Sequence, residues 1–138
     1  MQKFSFQHII HADSEKVFQN ISDFSSYKYF LPGCLDSHLI SKDADKIIGF
    51  LSFEILSKIY SITSENRVTK DTITIRQLDG PFKKFQATWT IISLGQGHTK
   101  ACLVAELSVP IVYRTIINEK TAKFFSSKFI SAFENYLK

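Results

Sequence analysis

From Ser37 to Ser108 apolar residues recur mostly at every second position, and from Ala122 to Tyr136 they recur at steps of three and four. Period two suits strands with one buried face, and the later spacing suits an amphipathic helix. The chain is therefore expected to be α+β, an antiparallel sheet whose apolar face is covered by one carboxy-terminal helix. Leu39 and Ile40 open a strand that ends near Lys42-Asp43-Ala44-Asp45, a turn by composition. Ile47 to Ile55 follows, with Gly49, Leu51, Phe53 and Ile55 on one face. Between Lys58 and Val68, Ile59 and Ile62 break strict alternation, which predicts a bulge. Asp71 to Gln77 alternates, Asp79-Gly80-Pro81 turns, and Phe82 to Ser93 carries Phe85, Ala87, Trp89 and Ile91 on one side. Gly95-Gln96-Gly97 closes a hairpin into Thr99 to Ser108, where Ala101, Leu103, Ala105 and Leu107 share a face.

Ahead of this block, Phe4 to Ile10 reads as a strand with Phe4, Phe6 and His8 on one face. Asp13 offers an N-cap to a short helix whose stripe is Val17, Phe18 and Ile21, and Asp23 to Tyr27 begins a second that Pro32-Gly33 stops. The count is about seven strands with two short helices after the first. Behind the block, Pro110 suits a helix start, and Ala122, Phe125, Phe129, Ala132, Phe133 and Tyr136 form a stripe that Phe124, Ile130 and Leu137 widen. At ~1.5 Å per residue such a helix could run roughly 35–40 Å, enough to cross the sheet. No repeat or linker divides the 138 residues, so residues 1–138 form a single domain. One helix laid on a broad bent sheet need not fill the space beneath it. The 13 Phe, 5 Tyr and 1 Trp supply aromatic walls for whatever space remains. The same rings at helical spacing also suit an ordinary packed core, and both readings stand at this point.

Chemistry is sparse. There is no Gly-x-Ser-x-Gly elbow, no His-Glu-x-x-His, no Cys-x-x-Cys and no Gly-rich phosphate loop. His8 and His11 are three apart, so on a strand they point to opposite faces and cannot share a metal; His38 and His98 stand alone. Neither catalytic nor metal-ligating residues are assigned. Cys34 and Cys102 make no disulfide framework, and Cys34 reads as a small packing residue. No apolar run approaches the ~20 residues of a membrane span, and the alternating amino terminus is not that of a secretion signal. A reducing cytoplasm is the expected setting. Net charge is +4, too mild for a dedicated nucleic-acid binder. Residues 111–138 hold five cations (Arg114, Lys120, Lys123, Lys128, Lys138) against Glu119 and Glu134, so most of the excess sits on the last segment. Together with Lys83 and Lys84 this is either a solvated face or a docking surface for an anionic partner.

Ser14-Glu15-Lys16-Val17-Phe18, then Asp23, Tyr27, Phe30-Leu31-Pro32 and Cys34, resembles the opening signature of the coenzyme-Q-binding START-like family. This family embraces mitochondrial coenzyme Q-binding proteins and the bacterial RatA branch, once described as polyketide (oligoketide) cyclase and lipid transport proteins. Gly80-Pro81-Phe82-Lys83-Lys84-Phe85 with Trp89 is similar to its second signature, and Phe125 to Phe133 to its carboxy-terminal helix. Lys28 and Gly33 depart from the Pro and Trp common at those places. The resemblance implies a helix-grip fold (START or Bet v 1-like). It also implies a tunnel for ubiquinone or another prenylated or lipidic molecule, no chemical reaction, and no cofactor beyond that bound ligand. It would place Tyr27 and Phe30 near the mouth, Leu51, Phe53, Phe85, Trp89 and Leu103 on the sheet, and Phe125, Phe129 and Phe133 on the helix. The RatA branch implies instead association with the large ribosomal subunit, hindering its joining to the small one. Lys83, Lys84, Lys120, Lys123 and Lys128 would then meet rRNA phosphates. A lipid carrier would also touch a membrane at its surface.

Overall fold

The computed structural model describes residues 2–55 and 57–138, the side chain of Ile55 excepted, so the placing of Ile55 on the apolar face lies outside the described residues. Among these residues the chain builds a seven-stranded antiparallel sheet. Its strands are β1 (Gln2–Ile10), β2 (Cys34–Asp43), β3 (Lys46–Ile55), β4 (Lys58–Val68), β5 (Thr72–Asp79), β6 (Lys84–Gly95) and β7 (His98–Ser108). The spatial order is β1-β7-β6-β5-β4-β3-β2. β1 and β2, neighbours in sequence, are thus at opposite edges. The chain crosses between them through α1 (Ser14–Ser22) and a 3-10 helix (Phe24–Tyr29), which cap one end of the sheet. From β2 onward each strand pairs with the next, and β7 returns to β1. A long helix, α2 (Glu119–Leu137), lies over the apolar face. This is the helix-grip architecture.

Alternation holds on β1 and on β5 to β7. Phe4 and Ile10 on β1, Ile73 on β5, Ala87, Trp89 and Ile91 on β6, and Ala101, Ala105 and Leu107 on β7 are all buried on the inner side. The bulge expected in β4 is not found there: β4 pairs with β3 without a register shift, and Ile59 (exposed) and Ile62 (buried) simply lie on opposite faces of a regular strand. The irregularity facing β4 puts its extra residue, Leu78, on β5, between the pairs Thr63–Asp79 and Ser64–Gln77. Gly49, inward on β3, has no room for a side chain: a Cβ there would stand 2.6 Å from the Phe24 ring. Its hydrogen atom lets the 3-10 helix lie directly on the sheet.

Two expectations at helix ends are corrected. Asp13 does hold the N-cap position of α1, but its carboxylate does not cap the helix. It accepts from the Gly97 N–H (2.8 Å) and so ties the β6–β7 hairpin to the start of α1. Pro110 does not open the long helix. It precedes a short 3-10 turn, Ile111–Tyr113, and α2 begins only after Asn118. There the Asn118 side chain accepts from the Thr121 N–H (3.1 Å), and the Thr121 hydroxyl accepts from the Asn118 N–H (3.0 Å). This reciprocal cap satisfies two donors that would otherwise be orphaned and sets where the helix starts. At 19 residues α2 is about 28 Å long, shorter than the sequence spacing allowed. Its far end is anchored by Lys16, whose ammonium donates to the Leu137 carbonyl (2.6 Å), a favourable place for a cation.

Candidate functional site

Side chains on the inner face do not form one uniform core. A first cluster gathers Ile10, Val17, Ile21, Phe24, Tyr27, Phe30, Ile73, Trp89, Ile91, Ala101, Phe129, Ile130, Phe133 and Leu137, all buried, beneath α1 and the second half of α2. Its rings are in mutual contact. Phe129 lies 5.6 Å from Trp89 and 5.8 Å from both Phe30 and Phe133, and Phe30 lies 5.5 Å from Tyr27. A second cluster centres on Phe4, Ala87, Ala105, Leu107 and Val109 under the first turn of α2. The side chains around it, including Phe6, Phe82, Phe85 and Tyr113, are only half-buried. Ile75 and Leu103 touch both clusters.

Farther along the inner face, Leu51, Phe53 and Tyr60 are also half-buried although their strands point them inward. Phe53 stacks on Tyr60 at 5.8 Å, and Tyr60 meets the edge of Tyr113 at 5.8 Å across from the segment that leads into α2. Lys58 sits over both tyrosine rings, 5.7 and 5.4 Å from their centroids. An inward residue that water still reaches has incomplete cover. These residues therefore outline an aromatic cleft between the sheet and the segment 110–125.

The expected lining residues divide between these regions. Tyr27, Phe30, Trp89, Phe129 and Phe133 lie in the packed cluster. Tyr27 is not at an open mouth: its hydroxyl donates to the Ile21 carbonyl, and burial, with Asp23 nearby, pushes the phenol's pKa well above its ordinary value. Leu51, Phe53, Phe85 and Leu103 lie on the half-covered surface. Phe125 is 46% exposed at its rim, one position off the buried stripe. Two separate depressions contain none of these residues. One, of about 470 Å³, lies between Asp23, Phe24, Leu39 and Ile47, and the other, of about 260 Å³, between His11, Lys16 and Glu134.

Most inward polar side chains have a hydrogen-bond partner within the protein, and among the described residues Gln2 Oε1 is buried without one. The Ser64 hydroxyl donates to Asn66 (3.0 Å), Thr99 donates to the Ala12 carbonyl (2.7 Å), and Ser37 donates to the Ser25 carbonyl (3.0 Å). Gln77 donates to the Phe82 carbonyl and accepts from its N–H, which holds the Gly80-Pro81 turn closed. His8 and Ser126 pair across the interior, Nε2 to Oγ, at 2.7 Å. Sequence reasoning reached neither this pair nor the Tyr60–Tyr113 contact, because each joins residues distant in the chain. Burial raises the Cys34 thiol's pKa, which disfavours the nucleophilic thiolate. Among the described residues no group of three His, Cys, Asp or Glu is arranged to hold a metal ion, and no helix is long and apolar enough to cross a membrane. Lys83 and Lys84 are exposed at the entry to β6, and Lys120, Lys123 and Lys128 are exposed on α2.

Comparison with known proteins agrees with this geometry. The profile of the family described as polyketide cyclase / dehydrase and lipid transport matches residues 10–130. A curated relative, the ribosome association toxin RatA of Escherichia coli, is 27% identical over 105 residues, which cover 75% of this chain. The match spans 65% of that relative's length. Among solved structures, the Zhui aromatase/cyclase of a Streptomyces species superimposes with a TM-score of 0.87 at 15% identity, covering 99% of this chain and 93% of that one. A START superfamily protein from Mycobacterium smegmatis gives 0.80 at 16% identity, with 98% and 96% covered.

Proposed function

Because the chain belongs to the polyketide cyclase/dehydrase and lipid transport family, we propose that it binds and carries an apolar ligand without transforming it. The ligand class is ubiquinone or a related lipid, and the role is support of respiration. The carrying observation is the half-covered aromatic surface formed by Leu51, Phe53, Phe85 and Leu103 with Tyr60 and Tyr113. Apolar surface left accessible between a sheet and its covering helix gains from being filled, at about 25 cal/mol for each Å² removed from water. Catalysis has little to work with, since nearly all inward polar groups are bonded to the protein itself. The chain operates in the cytoplasm and meets the membrane only at its surface, where a lipid is collected or delivered. Mass spectrometry of organic extracts from natively purified protein tests this reading, and a co-purifying quinone or lipid is expected. Protein that is reproducibly empty and also fails to bind quinone in titration overturns it.

A second reading is favoured by the exposed cations and by the name of the curated relatives. Here Lys83, Lys84, Lys120, Lys123 and Lys128 dock on the large ribosomal subunit and hinder its joining to the small one. Binding through phosphates releases counterions, so it weakens steeply with salt. Sucrose-gradient profiles after overexpression separate the readings: an unchanged ratio of free subunits to joined ribosomes counts against ribosome association. The two activities use different parts of the molecule, one the cleft and one the surface.

A further inference from the structure

On β1 the inward residues are Gln2 at its start, then Phe4, Phe6, His8 and Ile10, so that beyond Gln2 three apolar side chains accompany one imidazole. On α2 the residues turned toward the sheet include Ala122, Ser126, Phe129, Ile130 and Phe133, four apolar side chains and one hydroxyl. These two polar groups meet at 2.7 Å. They meet at the seam between the two apolar clusters. Phe6, stacked on the His8 ring at 6.5 Å, and Ala122, one turn before Ser126, belong to the second cluster. Ala101, paired with His8 across the strands, and Phe129 belong to the first.

Joining a helix to a strand does not require polar atoms there, and an apolar pair of the same shape would avoid their desolvation cost. The pair also keeps unused capacity. His8 Nδ1 has no protein partner among the described residues and is not sealed from solvent. If Nε2 accepts from the Ser126 hydroxyl, Nδ1 carries a proton and donates; in the other tautomer the serine hydrogen is free to donate. Either way one donor remains beside the Phe6 ring. Burial holds the imidazole below its ordinary pKa, so at neutral pH the donor is uncharged and suits a neutral acceptor rather than a carboxylate or phosphate.

We infer that the His8–Ser126 pair is the polar anchor of the cleft and takes the ring carbonyl of a ligand whose remainder is apolar. The inference deepens the carrier reading and rests on it. Displacement of anilinonaphthalene sulfonate by decyl-ubiquinone and by decylbenzene, which has the same tail without carbonyls, tests both in one experiment. Wild-type protein should bind the quinone more tightly. His8→Leu and the milder Ser126→Ala should each weaken quinone binding by about tenfold, the scale of one lost hydrogen bond, and leave decylbenzene within twofold. Parallel weakening of both probes would mean that the pair only braces α2 against β1, and unchanged quinone binding would mean that it contacts no ligand. Either result overturns the anchor while leaving the carrier reading standing. Wild-type protein that binds neither probe removes the carrier reading itself, and the anchor with it.

Discussion

The two halves of the inner face have similar residues and different fates. Near α1, rings close on one another until Phe133 is wholly buried, because α1, the 3-10 helix and the end of α2 all converge there. Near the first turn of α2 the same sheet has only that turn and the segment 110–118 as cover, and Phe53, Tyr60 and Phe85 stay half-buried. The contrast is one of cover rather than composition. Rings with three covering elements make a core; rings with one make a surface that a ligand can complete.

The largest test of this contrast is truncation in the closed half. Phe133→Ala should cost about 3–5 kcal/mol in chemical denaturation, whereas Phe53→Ala should cost about 1 kcal/mol or less and weaken apolar-probe binding instead. Equal stability losses would erase the distinction. Next in size, Gly49→Val drives a side chain into the Phe24 ring and should cost about 1–3 kcal/mol by overpacking the closed half. Asn118→Ala removes the cap that starts α2 beside the cleft and should cost about 1 kcal/mol, with fraying of the first turn seen by amide exchange.

A smaller effect separates the inner face from the outer by pH. Burial depresses the pKa of His8, so its contribution to stability is complete above the ordinary histidine value of 6.5 and is lost as pH falls through its folded value. His8→Leu should flatten stability below 6.5. On the outer face Glu65, though only 5% exposed, sits among Arg76, Arg67 and Lys46. The hydrogen bond from Arg76 chiefly holds its carboxyl below the usual range. Its stabilisation is present above the ordinary glutamate value and disappears only in stronger acid, so Glu65→Gln should act in that lower window and leave the histidine window unchanged. Smallest of all, replacing Lys120, Lys123 and Lys128 together by Ala should leave the melting temperature nearly unchanged, while abolishing any salt-sensitive binding to ribosomal subunits.

Much of the fold was legible because it is local. Alternation named the inward residues of β3 (Ile55 aside), β6 and β7 correctly, whereas the Ile59 and Ile62 spacing, read as a bulge, reflects only their opposite faces on a regular strand. The beginning of α2 was less legible. Pro110 is a familiar helix opener, yet the Asn118-Glu119-Lys120-Thr121 cap outcompeted it by satisfying orphaned donors. Of the site, the rings were recognisable but their division was not. Tyr27 and Phe125 carry the same aromatic signal, yet one is sealed under α1 and the other stands at a rim.

By itself the sequence determined which side of each strand is apolar, that one amphipathic helix must cover the sheet, and that aromatic side chains would dominate the space between them. Those properties follow from periodicity, which acts over a few residues. Which rings pack shut, where cover fails, and the meeting of His8 with Ser126 were decided by the tertiary structure alone. They depend on where the crossing helices come to rest over the sheet. That placement is a balance of contacts between residues a hundred positions apart, which no local pattern records.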